Sequence, residues 1–277
     1  MRITMKSLDG EMKITRIRAN GIPALVLRPV REYRNVPGIV WIHGGGYITG
    51  VKEMALVSRA AGIVKKYGAV VISPGYRRAV TSPYPAAIED CYKVLLYMKE
   101  HAEKLGVRND QIMVGGESAG GGLAAALSMM ARDRGEVRIA YQMPLYPMID
   151  NHDTDSSRDN HGKAWDTRRN HLGWHMYLRG DFGKDVSPYA SPARQDDYRG
   201  LPPCYTFVGD GEPFYDETLS YVKNLKDAGI EAEVDVYHTD IHAFDLLRPD
   251  LAISKEAEER FNRHFEYARD NYFAPQD

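Results

Sequence analysis

The sequence predicts an α/β fold, a mostly parallel twisted sheet with helices on both faces. Three observations point there. From about residue 37 onward, short β-branched runs alternate with longer stretches of helical periodicity, the rhythm of strand–helix–strand units. Runs such as AVVIS at 69–73 and IMVGG at 112–116 are almost wholly apolar, which suits strands covered on both faces. The chain of 277 residues is long enough to bury a full core and fits one α/β unit.

The expected strands are MKITRIRA (12–19), ALVLRPV (24–30), GIVWIHG (38–44), AVVISPG (69–75), QIMVGGE (111–117), VRIAYQMPLY (137–146), CYTFVGD (204–210) and AEVDVYH (232–238). Helical stripes lie between and after them. Leu219, Val222, Leu225 and Ala228 mark one, and Ala257, Phe261, Phe265 and Ala268 mark another. The charged residues of KEAEERFNRHFEYARD form the solvated face of that last helix, with a homodimer interface there as the alternative. Residues 150–182 break the rhythm, being polar and rich in His, Asp and Arg, with two of the three tryptophans. They read as an excursion from a single domain, with a short helix near Thr167–Leu178 that roofs a pocket.

Composition excludes several functions. Lys and Arg number 36 against 38 Asp and Glu, a net charge of −2, whereas nucleic-acid binding calls for a clustered basic excess. Cys91 and Cys204 are far apart and sit in apolar stretches, so they read as small buried hydrophobes. No apolar run approaches the ~20 residues of a membrane span, and the first residues lack the apolar segment of an export signal. The default expectation is therefore a cytoplasmic protein that spans no membrane.

Chemistry concentrates in a few motifs. Gly116-Glu117-Ser118-Ala119-Gly120 follows one expected strand and precedes the helical GGLAAALSMMA. A serine on a tight strand-to-helix turn is lifted clear of the sheet as a nucleophile, and small neighbours make room for the strained backbone. Gly120, Gly122 and Ala125 also satisfy a dinucleotide-binding pattern, but they fall inside the helix rather than in the turn before it. His43-Gly44-Gly45-Gly46-Tyr47 follows the strand GIVWI. Consecutive glycines let backbone N–H groups approach an oxyanion, and His43 reads as the loop's orienting hydrogen bonder. A serine nucleophile needs a base and a group that orients it. Downstream, CYTFV runs into Asp210, Glu212 and Asp216, and AEVDVY into His238 and His242. His171 and His175, four apart on one helix, lack a third ligand at metal-binding spacing.

With these motifs in place, the chain resembles the hormone-sensitive-lipase family of α/β-hydrolase carboxylesterases. The matching segments are HGGGY at 43–47, YRRA at 76–79, YPAAIEDCY at 84–92, VGGESAGGGLAAAL at 114–127 and LYPMID at 145–150. LPPCYTFVGDGEPFYDE at 201–217 and IHAFD at 241–245 complete the set. The resemblance implies an α/β-hydrolase fold with Ser118 as nucleophile and His242 as general base. It implies oxyanion N–H groups from Gly45, Gly46 and Ala119. Glu212 stands where the family most often has Asp and is the candidate third member, with Asp210 as rival and Asp216 as a loop-holding residue.

Two departures from the family pattern bear on the site. The family's D-Y-R-L-A-P-E is here Gly75-Tyr76-Arg77-Arg78-Ala79-Val80-Thr81, so support behind the elbow must be built differently. Only 42 residues precede His43, and they read as strands, which leaves little for an N-terminal helical cap and predicts an open, shallow pocket. Trp165, Trp174 and Tyr177 either line that pocket or anchor the excursion. The expected activity is hydrolysis of short-chain, acetyl-like esters through an acyl-enzyme, on a small-molecule substrate and with no cofactor or metal. The alternatives are an amidase or formamidase with the same serine machinery, or a non-catalytic ligand-binding receptor on the same scaffold.

Overall fold

The structure, a computed structural model, describes residues 3–276 apart from Leu8 and Glu32. Nine strands form one sheet: β1 (Ile3–Lys6), β2 (Met12–Ala19), β3 (Ile22–Pro29), β4 (Val36–Ile42), β5 (Val70–Pro74), β6 (Val107–Glu117), β7 (Tyr141–Leu145), β8 (Cys204–Gly209) and β9 (Ala232–Tyr237). Their order across the sheet is β1-β2-β3-β5-β4-β6-β7-β8-β9. The first three pair antiparallel, β3 meets β5 antiparallel, and every pair from β5 to β9 is parallel. All eight expected strands are present. β1 was not expected, because Thr4, Met5 and Lys6 are exposed and the strand joins the edge through backbone pairing with β2.

The apolar runs are continuous because both faces are covered. In β4, Val40 and Ile42 enter the cluster formed with α2 (Ala86–Glu100) and α4 (Ala119–Arg134), while Ile39 and Trp41 enter the opposite one. That second cluster is closed by α1 (Arg59–Tyr67) and α8 (Ala252–Asn271), where Ala257, Phe261, Phe265 and Ala268 are all buried as their spacing predicts. The remaining helices are α3 (Ala102–Leu105), α5 (Thr167–Tyr177), α6 (Tyr215–Asp227) and α7 (Phe244–Leu247). α5 matches the helix expected in the excursion; Asp166 caps it by accepting the Arg169 N–H at 2.8 Å. Cys91 and Cys204 are buried free thiols.

The parallel arrangement places the loops after β4, β6, β8 and β9 on one edge. From β4 the chain passes through α1 to β5 on one side and then crosses by α2 to β6 on the other. The crevice at such a switch point is where open α/β sheets bind ligands. Beneath it, β6 ends on a buried carboxylate: Trp41 Nε1 donates to Glu117 at 2.9 Å. Burial, with the nearby Asp245 carboxylate second, pushes the Glu117 carboxyl up to about 8. The Trp41 and Ser58 donors and the Arg59 charge oppose that rise.

Two predictions follow from this packing. A Cβ on Gly120 would strike the Ile42 and His43 carbonyl oxygens, whereas one on Gly62, inside α1, meets nothing within 4 Å. Gly120→Ala should therefore destabilise by about 2–3 kcal/mol, and Gly62→Ala should stabilise by about 0.5–1 kcal/mol. Urea unfolding of both variants checks the opposite signs. A carboxyl raised in the folded state from 4.5 to about 8 makes the native state bind the extra proton, so its contribution is full below pH 4.5 and is lost as pH rises through 8. Glu117→Gln should flatten that decline, which unfolding at pH 5, 7 and 9 measures; an unchanged slope contradicts the assignment.

Candidate active site

Ser118 links the end of β6 to the start of α4 with φ +58° and ψ −123°, a conformation that costs about 1–3 kcal/mol for a residue with a Cβ. Close backbone packing imposes it. Gly116 and Gly120 press on the Ile42 carbonyl, and a Cβ on Gly44 would lie 2.8 Å from Glu117 O. The Ser118 N–H donates to Leu145 O at 3.0 Å, and Ser118 O accepts from Met148 N at 3.1 Å and Gly122 N at 2.9 Å. The serine is thus tied to β7 and to its own helix.

Opposite it, His242 Nε2 lies 2.9 Å from Ser118 Oγ, and His242 Nδ1 is hydrogen-bonded to Glu212 Oε2. The second Glu212 oxygen accepts the Gly209 N–H at 2.7 Å, anchoring the carboxylate to the end of β8. That anchor shows how the longer glutamate fits: it folds back on its own strand end. Glu212 is fully buried. Asp210 faces away, where its carboxylate meets the exposed His238 Nδ1 at 2.8 Å and the Thr239 N–H at 3.1 Å. Asp216 accepts the Ser156 N–H at 2.7 Å and so ties the excursion to α6. The imidazole of His242 stands between the rings of Phe214 and Tyr146, at 4.9 and 5.1 Å and nearly perpendicular to both.

The glycine loop packs beside the serine. Gly45 and Gly46 take φ +121° and +57°, and Gly45 O accepts from Ile48 and Thr49 N–H groups, closing the turn. Among the described residues, the N–H groups of Gly45, Gly46 and Ala119 have no protein acceptor. The Ala119 amide also opens α4, where the helix dipole favours negative charge. His43 is buried with Nδ1–H donating to Gly44 O at 2.9 Å, and its ring stacks on Tyr76 at 4.2 Å. Burial lowers its pKa to about 4, so it stays neutral and holds the loop. Tyr76 donates to His43 O at 3.0 Å, and Arg77 forms a two-pronged pair with Asp90. This is how YRRA supports the loop without the family's usual acid.

The excursion reaches the histidine loop through its backbone. His242 N donates to Lys163 O at 3.2 Å, and Lys163 N donates to Asp240 O at 3.1 Å. Residue 163 and its neighbours therefore pin the loop that carries the imidazole. No side-chain signal in the sequence marks this role, because the bond runs through a backbone carbonyl. Glu217 also escaped the sequence reading: one of its oxygens accepts the Ile149 and Asp150 N–H groups at 2.6 and 3.2 Å, shaping the segment after β7. Burial, then Asp150, raises its pKa.

Trp174 and Tyr177 pack against Tyr47, with ring centroids 5.3 and 4.0 Å away, and so anchor α5 to the loop. Trp165 lies over Gly46, and its ring is 6.5 Å from that of His242. Ser118 is only 7% exposed and His242 5%. Residues of the polar 150–182 segment thus reach the serine–histidine pair: Trp165 lies beside Gly46 and the His242 ring. His171 bonds Asp153 at 2.8 Å and His175 lies against Phe182. Among the described residues no group of three or more His, Cys, Asp or Glu is placed to hold a metal, and no helix is long and apolar enough to cross a membrane.

Comparison with known proteins agrees with this architecture. A family described by its alpha/beta hydrolase fold matches residues 39–246. Carboxylesterase NlhH of Mycobacterium tuberculosis is 30% identical over 257 residues, covering 87% of this chain and 78% of that protein. An ethyl acetate hydrolase of Pseudomonas putida is 25% identical over 254 residues, covering 90% and 79%. The structure of a bacterial heroin esterase superposes with a TM-score of 0.82 at 32% identity, covering 94% of this chain and 81% of that one. The chain belongs to the hormone-sensitive-lipase-like family of α/β-hydrolase carboxylesterases and is a carboxylic ester hydrolase.

Proposed function

We propose that the enzyme hydrolyses esters of short, acetyl-like acyl groups through an acyl-enzyme on Ser118, with His242 as general base and Glu212 as its orienting carboxylate. One observation carries this reading: Ser118 Oγ, His242 and Glu212 form a continuous hydrogen-bonded line beside three N–H groups that lack a protein acceptor. His242 Nε2 removes the serine proton as Oγ attacks the ester carbonyl. The oxygen then becomes negative and takes its hydrogen bonds from the Gly45, Gly46 and Ala119 N–H groups, each worth several kcal/mol in such a site. The protonated imidazole delivers the proton to the departing alcohol while Glu212 stabilises its charge. Water, activated by the same nitrogen, releases the acid and restores Ser118.

The short acyl preference rests on the cover. The Trp165 ring lies over Gly46 and Ser118 and His242 are little exposed, which supports a small acyl group there. A relative named for ethyl acetate fits the same range. The substrate is a small-molecule ester.

Ser118→Ala should lower kcat on 4-nitrophenyl acetate at least about 10⁴-fold. Glu212→Gln should cost about 10⁴-fold, because an uncharged amide neither fixes the imidazole's tautomer nor stabilises its charge, and Asp210→Asn should stay within about threefold, since its contacts are exposed. Comparable losses in the last two would reverse the assignment of the acid. In a series of 4-nitrophenyl esters, kcat/KM should peak at two to four acyl carbons; a maximum at eight or more contradicts the short-chain reading.

A further inference from the structure

A second buried carboxyl group reaches the site through backbone alone. Glu217 lies in the first turn of α6 and is buried. Its Oε1 accepts the N–H groups of Ile149 and Asp150 at 2.6 and 3.2 Å. Among the described residues those two donors have no other acceptor. Its Oε2 has no hydrogen-bond partner. Burial first, and the Asp150 carboxylate second, raise its pKa against the pull of the two N–H bonds, which favours the neutral acid. The group therefore serves through what Oε1 holds rather than through a charge.

Oε1 holds the segment that joins the serine to the glycine loop. Met148, the residue before Ile149, is bonded on both sides. Its N–H donates to Ser118 O at 3.1 Å, and its C=O accepts from Tyr47 Oη at 2.6 Å. Tyr47 directly follows Gly46 in the chain. The Met148 C=O and the Ile149 N–H belong to one planar peptide unit and point in opposite directions. Tyr47 thus grips one end of that plane and Glu217 the other. The junction is packed without slack, since a Cβ on Gly122 would lie 2.1 Å from Met148 O and 2.3 Å from Tyr47 Oη. Glu217 is also five residues beyond Glu212, and the Tyr215 N–H at the start of α6 donates to Glu212 O at 3.3 Å. One short stretch sets a carboxylate against His242 and a peptide plane between Ser118 and Tyr47.

We propose that Glu217 is a positioning residue for the oxyanion: by fixing the Met148–Ile149 peptide plane, it sets the Gly45 and Gly46 N–H groups at their distance from Ser118. Charge on the ester oxygen develops only toward the transition state. Loss of this brace therefore slows the chemical step and leaves ester binding nearly unchanged. The inference rests on the mechanism proposed above and adds the group that keeps its parts in register.

Substitutions at the two ends of the peptide plane test it, with 4-nitrophenyl acetate as substrate. Glu217→Gln keeps an acceptor oxygen and should hold kcat within about threefold. Glu217→Met, of equal length but without an acceptor, should lower kcat about 10²-fold, as a displacement of about 1 Å does, with KM within about threefold. Tyr47→Phe should lower kcat about tenfold and serves if the methionine variant does not fold. Both act through one peptide unit, so the double variant should lose little more than Glu217→Met alone. A trifluoromethyl ketone, which adds to Ser118 and presents an oxyanion, should bind more weakly in proportion to the fall in kcat. A merely structural role lowers Tm and leaves kcat and ketone affinity, both measured well below Tm, unchanged; that result overturns the proposal. So do a glutamine variant as impaired as the methionine one, and losses that multiply in the double variant. Wild-type rates that survive Ser118→Ala overturn the proposed mechanism and the brace with it.

Discussion

The contact of Gly116 and Gly120 with the Ile42 carbonyl is the constraint from which the site is built. It brings β4 and β6 together at their C-terminal ends so closely that no Cβ fits between them. The chain can turn from β6 into α4 only by holding Ser118 at positive φ. Strain of about 1–3 kcal/mol is sustained there because neighbouring hydrogen bonds to Leu145, Met148 and Gly122 fix the turn. The same approach sets Gly44 against Glu117 and Ser118, so the glycine loop and the serine share one position by construction.

Around that point the support comes from a polar segment. The excursion at 150–182 is held at both ends of its span. Ser156 bonds Asp216 and Pro213 on one side, and Trp174 and Tyr177 pack on Tyr47 on the other. Between these anchors, the backbone of Lys163 fastens the His242 loop. One segment thus both fastens the His242 loop and sets Trp165 beside its ring. Behind it, Asp245 accepts from Tyr146 and Arg59, which links the residues after His242 to α1 and gives the ring of Tyr146 a fixed place against the imidazole.

Some of the site was legible in the residue order alone. Ser118 and the glycine loop could be located because their conformations demand particular residues: glycines at positive φ and at close backbone contacts, small residues around a strained serine. The choice between Asp210 and Glu212 could not be read that way. Both follow the same strand within three residues, and either carboxylate could orient an imidazole. Glu212 lies against His242 because its other oxygen binds Gly209 N–H and turns the side chain inward. Asp210 is drawn outward by His238 and Thr239. The roles of the tryptophans were likewise open, since an aromatic ring at an apolar position can pack a helix or line a pocket. Trp174 does the first, and Trp165 lies over the loop.

By itself the sequence determined the alternation of strands and helices, the two covered faces of the sheet, and the positions of the elbow and glycine loop. These follow from local rules: apolar periodicity sets which side of an element is buried, and the need for positive φ selects glycine. Tertiary structure alone decided which acid meets the histidine, how the YRRA segment braces the loop, and that a polar excursion fastens the histidine loop. Those outcomes depend on backbone carbonyls and on the direction of single side chains between segments that are apart in sequence. A carbonyl such as that of Lys163 is the same chemical group at every position, so its role exists only once the fold brings His242 beside it.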